Sequence, residues 1–216
     1  MAKLTFFPLG NADSILIDLA DGKKMLFDFG DQKDRDDPKD KRIDLSDALR
    51  KDLKAANRDY YDVFVVTHLD LDHVQRAGEF FWFEHAKKYQ GEGRIKFTEM
   101  WVPAAIICES GCEEEDACII QAEARHRFKE GRGIRVFSEP SMLEDWCKKN
   151  GVSLKDRAHL ITNAGEVVPG LTKDKNGVEF FAHCPFAHRT EKGEELDRHD
   201  ASLVVQATFE ESGVET

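Results

Sequence analysis

Short apolar runs broken by turn residues fill the first third of the chain. "KLTFFPL", "SILIDLA" and "KKMLFDF" each have the length and apolar content of a strand. Asp21-Gly22, between the second and third runs, is a hairpin signal, and "GNAD" links the first to the second. The pattern predicts an antiparallel meander. "DVFVV" follows as a continuous apolar run, the pattern of a buried strand in a mixed sheet. "IKFTEMWVP", "GIRVFS", "GVEFFAHCP" and "ASLVVQATFE" predict further strands.

Between the strands the apolar period changes to that of helices. "DLSDALRKDLKAA" places Leu45, Ala48, Leu49 and Leu53 on one face behind Asp44, a suitable N-cap. "VQRAGEFFWFEHAKKY" predicts a helix. "EEEDACIIQAEARHRFKEG" predicts another, acidic at its start and basic at its end. "PSMLEDWCKKNG" predicts a third, with Pro140 near its start and Gly151 at its end. A meander, then alternating helices and strands, then strands again, is an α/β pattern with mixed sheets. One domain over 1–216 is the simplest division, with 84–165 as its helix-rich, variable part. "GDQKDRDDPKDKR" has almost no apolar residue, which predicts a solvated, mobile loop. A lid beside a site is the sharper alternative.

Composition narrows the function classes. Apolar residues form 41% of the 216, enough for a core, and the formal net charge is −11. Such a surface repels polyanions at long range and offers no broad basic footprint, though a local groove stays compatible with it. No apolar run reaches the length of a membrane span, and the N-terminus lacks the pattern of a signal peptide, so a cytoplasmic protein is expected. The five cysteines then read as reduced thiols. Cys108, Cys112 and Cys118, with His126 beyond, lack the tight pair of a structural zinc site and read as a thiol-bearing loop.

The densest chemistry follows "DVFVV". His68, Asp70 and Asp72 have period-two spacing, and His73 adjoins Asp72 at a helix start. If the loop stays extended, the first three side chains share a side, while Leu69 and Leu71 face the core. Two imidazoles and two carboxylates within six residues can supply two adjacent cation positions at the carboxyl edge of a sheet. An acidic surface turn is the bland alternative. His183 and His188 are candidates for substrate contact or proton donation, with an idle strand-end histidine as the default. Phe80 to His85 suits helix packing better than an aromatic substrate shelf.

"THLDLDHV" resembles the H-x-[HD]-x-D-H signature of the metallo-β-lactamase fold, and Asp70 in the second ligand position resembles its competence-channel (ComEC-like) branch. "FPLGNADSILIDLADGKKMLFDFGD" is similar to that branch's opening, "NAGEVVPG" and "VEFFAHCPF" to its later turn and strand, and "HDASLVVQATF" to its N-D-x-S-L-V-L strand. The resemblance is weak over 84–165. It implies an αββα sandwich, with the second half incomplete here. It implies two divalent cations, zinc or manganese: the first on His68 and Asp70, the second on Asp72 and His73, with His199 or Asp200 as the next ligand. Asp28 would support the metal loop and Asp13 would sit on the neighbouring loop, where a turn-forming aspartate is an equal reading. Asp70 in place of a histidine moves the balance towards manganese.

The bridging aspartate and late histidine of the family have no counterpart after "ATFEESGVET". Strand 201–209 is therefore expected to pair with a C-terminal segment of a longer protein, or with another chain, beyond a turn at Gly213. The implied function is a two-metal hydrolase of phosphodiesters, in nucleic acid or nucleotides, with Asp72 as catalytic proton acceptor. An ester, lactone or lactam hydrolase is the alternative within enzymes. An inactive binding or sensor module is the alternative outside them.

Overall fold

The computed structural model describes residues 2–138, 143–185 and 199–209. The meander forms as β1 (Lys3–Phe6), β2 (Ile15–Asp18) and β3 (Lys24–Phe27), paired antiparallel with Ile15 opposite Phe27 and Ile17 opposite Met25. The chain then crosses over through α1 (Leu45–Ala55) to β4 (Tyr60–Val65), parallel to β3. β5 (Lys96–Pro103), β6 (Ile134–Phe137) and β7 (Ile161–Thr162) extend the sheet in parallel, giving seven strands in sequence order. Residues 84–165 thus contribute three strands as well as helices. α4 (Ala104–Cys108) and α5 (Glu115–Glu130) join β5 to β6, and α6 (Glu144–Asn150) lies between β6 and β7. β8 (Val178–Cys184) and β9 (Val204–Phe209) form a separate antiparallel pair.

Strand alternation divides the core in two. On one face Leu26, Phe64, Met100 and Val136 pack with Leu45, Leu49 and Leu53 of α1 and Ile120, Ala124 and Phe128 of α5. On the other, Met25, Val63, Val65, Trp101 and Phe137 meet Val178, Phe180 and Ala182 of β8. The layers are helices, seven-stranded sheet, two-stranded sheet: a mixed α/β architecture. Burying side chains on both faces explains why β4 has no polar alternation at "VFV". The predicted cap of α1 is present, with Asp44 accepting from the Asp47 amide, and Gly131 and Gly151 close α5 and α6 in the left-handed region.

Three local expectations are corrected. Residues 74–89 are not one helix. The chain makes two single turns, α2 (Leu71–Val74) and α3 (Ala77–Phe80), then runs extended at Phe81, which bridges to Ile95. Arg76 takes a left-handed conformation (φ 63°) between them. The Asp116 carboxylate accepts from the amides of Arg76 and Gly78, holding the break against α5. Phe80, Phe81 and Phe83 are all buried. Leu71 is exposed, because the helical turn begins there and rotates it outward, whereas Leu69 is buried. The acidic run is also not wholly solvated. Asp31 is fully buried and accepts from Arg35 and Ser46 at 2.6 Å each, and Arg35 also bridges to Asp44. The Pro140 helix start, His188 and the Gly213 turn lie outside the described residues.

β9 pairs with β8 along one edge, and among the described residues no strand lies along its other edge. Among the described residues, no helix is long and apolar enough to cross a membrane. None of the five cysteines is in a disulfide bond.

Candidate metal centre

β3 and β4 run parallel and end side by side, so both deliver their next residues to one edge of the sheet. Asp28 follows β3 and adopts a left-handed conformation (φ 54°) that turns its carboxylate under the loop after β4. The Asp28 amide donates to the Val65 carbonyl, and the Phe29 amide to the His73 carbonyl. The Asp13 amide donates to the Asp72 carbonyl, which ties the β1–β2 loop to the same turn. A Cβ at Gly30 would lie 1.9 Å from that Asp72 oxygen, so only glycine allows the approach.

The turn of α2 gathers the candidate ligands. The His73 amide donates to the Asp70 carbonyl, bending a loop that an extended chain would leave straight. The rings of His68 and His73 are 3.9 Å apart between centroids. Leu203, just before β9, donates its amide to the Thr67 carbonyl and brings His199 over the edge, 5.1 Å from the His68 ring. Two three-residue groups result, each with ligand atoms within 4.8 Å of one another: His68, Asp70 and His199, and His68, Asp72 and His73. Asp70 Oδ2 lies 3.6 Å from His68 Nε2 and 3.3 Å from His199 Nε2. His73 Nε2 lies 3.6 Å from Asp72 Oδ2 and 3.8 Å from Asp13 Oδ2.

A support layer fixes the imidazoles. Thr67 donates its backbone amide and its hydroxyl to the two oxygens of Asp28, at 2.8 and 2.7 Å. His73 Nδ1 lies 2.9 Å from Asp28 Oδ2 and donates to it. With its proton given to Asp28, the Thr67 oxygen accepts from His68 Nδ1 at 3.1 Å. Both histidines therefore hold a proton on Nδ1 and turn Nε2 towards the acidic side chains. Burial lowers the pKa of His68, and the neighbouring His73 lowers it further. Burial acts on His73 in the same direction, but the hydrogen bond and charge of Asp28, with Asp72 and Asp13, outweigh it and raise the net pKa.

The residues fit a divalent cation. His68 is 8% exposed, and its Nε2 has no hydrogen-bond partner. A buried imidazole nitrogen aimed at carboxylates without a partner is costly unless something occupies the space between them. Cations held at about 2.0–2.2 Å leave their ligand atoms roughly 3–3.5 Å apart, close to the separations seen.

The other candidates separate clearly. Asp200 is exposed and belongs to neither group, so His199 is the residue brought into the cluster. His183 is exposed on β8 and pairs with Gln206 at 3.0 Å, outside both groups. Cys108, Cys112, Cys118 and His126 form no ligand group among the described residues. Thr67 was not anticipated; its only signal is a hydroxyl directly between a strand end and the first histidine. No protein-family model matches the chain, and no curated protein matches it.

Proposed function

We propose that this chain is a metal-dependent hydrolase of the metallo-β-lactamase-like type whose substrates are phosphodiesters. One observation carries the proposal: the buried Nε2 of His68, which has no hydrogen-bond partner, sits where two His/Asp groups meet at the carboxyl edge of the sheet. His68, Asp70 and His199 would hold one cation, and Asp72 with His73 would begin the second position. Bound divalent cations would supply Lewis-acid polarisation of the phosphoryl oxygens and a lowered pKa for the attacking water.

The chain's own residues support such a reaction. Asp28 and Thr67 orient both imidazoles before any substrate arrives, which lowers the reorganisation needed for binding. Asp72 is partly exposed at the mouth of the cluster, where its carboxylate can accept the proton that water gives up. Carboxylates at Asp70 and Asp72 make the donor set hard, which favours manganese or zinc over softer cations. The net charge of −11 favours small nucleotides over long duplexes. A binding module is the second reading. It draws on His199, whose side chain is 71% exposed, and on the three-residue size of each group among the described residues.

The test is hydrolysis by the purified full chain, with and without added manganese or zinc. The reporters are bis(4-nitrophenyl) phosphate, 4-nitrophenyl acetate and a chromogenic lactam. Metal-dependent cleavage of the phosphodiester, abolished by chelation, is the expected result. Metal-dependent cleavage of the ester or lactam alone would replace the substrate class. Bound metal without turnover of any reporter would favour the binding module.

A further inference from the structure

We infer that Asp13 is a ligand of the second cation, completing with Asp72 and His73 a position for which the 68–73 turn supplies too few donors. This rests on the metal-centre reading above and specifies which residue outside that turn joins it.

The placement of Asp13 comes from backbone contacts. Its amide donates to the Asp72 carbonyl at 3.1 Å, and its own carbonyl accepts from the Gly30 amide at 3.4 Å. Ala12 beside it is buried. The β1–β2 loop is thus seated on the metal loop, with the Asp13 backbone fixed but its side chain 75% exposed. Its Oδ2 lies 3.8 Å from His73 Nε2, nearly the distance of Asp72 Oδ2 from the same nitrogen, 3.6 Å. His73 cannot turn its other nitrogen to either carboxylate, because Nδ1 is held by Asp28. One imidazole nitrogen therefore faces two carboxylate oxygens, at separations that a bound cation would shorten by a few tenths of an ångström. Exposure leaves the Asp13 χ angles room for that adjustment.

Charge supports the same assignment. Asp13, Asp28, Asp70 and Asp72 all lie against the histidine pair. Like charges this close repel unless a cation lies among them. Asp28 is already satisfied by Thr67 and His73, so the carboxylates facing His73 Nε2 are those of Asp13 and Asp72. Asp70 faces His68 and His199, at the first position. Asp13 and Asp72 remain for the second. The simpler alternative is an ion pair between Asp13 and protonated His73, which would leave metal stoichiometry untouched.

The experiment is manganese binding by the full chain, followed by calorimetry and by paramagnetic resonance, for wild type, Asp13→Ala, Asp13→Asn and His199→Ala. Wild type is expected to bind two ions with an exchange-coupled spectrum. Asp13→Ala and Asp13→Asn should keep one ion with an isolated six-line spectrum and bind the second at least tenfold more weakly. His199→Ala should weaken the other ion. Because the replaced side chain is exposed, circular dichroism of both Asp13 variants should match wild type. Two ions in wild type, with the second affinity of Asp13→Ala within twofold of it, would overturn this inference and leave the metal centre standing. A wild-type chain that binds no manganese and no zinc would overturn both.

Discussion

Nδ1 of His73 donates to Oδ2 of Asp28 across 2.9 Å and 45 residues of sequence. This bond joins the ends of two parallel strands and decides which nitrogen of His73 faces the acidic cluster. Carboxylates that orient a ligand histidine typically contribute a factor of 10–100 in metal affinity. Asp28→Asn keeps the shape and tolerates the left-handed backbone, but its single acceptor oxygen cannot serve both the Thr67 amide at Oδ1 and the Thr67 hydroxyl and His73 at Oδ2. The variant should fold as wild type by circular dichroism and bind zinc about 10- to 100-fold more weakly by calorimetry. Unchanged affinity would show that the bond serves only the fold.

Gly30→Ala should damage the fold and the site together. The added Cβ would meet the Asp72 carbonyl at 1.9 Å and Ala12 at 2.8 Å, so the turn that carries the ligands must move. Overpacking of this kind costs about 2 kcal/mol, which is roughly 4–8 °C in Tm for a chain of this size. Thermal unfolding and metal titration should show both losses. A variant of full stability with weakened metal binding would mean that the turn moves without strain.

Glu123 gives the acid sensitivity of the fold. Its carboxylate is fully buried and accepts from Arg127 Nε at 2.6 Å and from the His85 amide and ring at 2.9 Å. Burial alone would raise its pKa. The His85 hydrogen bonds and the Arg127 charge outweigh that and lower it from 4.5 to about 2. A carboxyl depressed in the folded state stabilises fully above pH 4.5, and the contribution is lost as pH falls towards 2. Glu123→Gln leaves the buried Arg127 with Glu84, 3.2 Å away, as its remaining carboxylate, and should cost about 3 kcal/mol at neutral pH. Its Tm should also fall less steeply than that of wild type between pH 4.5 and 2. Parallel Tm curves for the two proteins would assign the acid sensitivity elsewhere.

Asp72→Ala removes a proposed ligand and the proposed proton acceptor at once. Phosphodiester cleavage should fall by at least about 100-fold. Cys112→Ala, outside the cluster, should stay within about twofold of wild type in the same assay. Equal rates for wild type and Asp72→Ala would place the chemistry at another site.

What was legible in the chain followed from period and from ligand type. The meander, β4, β5 and α5 show in the apolar spacing because each buries a regular face, and His68 to His73 shows because few sequences place those residues together after such a strand. Three features had no local signature. β7 is two residues long, too short for any period. The break at Arg76 is held by Asp116, which is remote in sequence and reads as an ordinary residue of an acidic helix start. Asp31 sits in a run of charges, and only its tertiary contacts with Arg35 and Ser46 mark it as buried. The candidate site was legible as a set of side chains but not as a geometry. Thr67 acts through hydrogen bonds to Asp28 and His68, and Asp13 is brought in by a backbone bond to Asp72.

The most direct measurement is an anomalous difference map from crystals of the full chain grown with zinc or manganese. The metal-centre account predicts a strong peak within about 2.0–2.2 Å of His68 Nε2, with Asp70 and His199 completing its shell. A map without a peak at His68, or with peaks only at the cysteines, would contradict it.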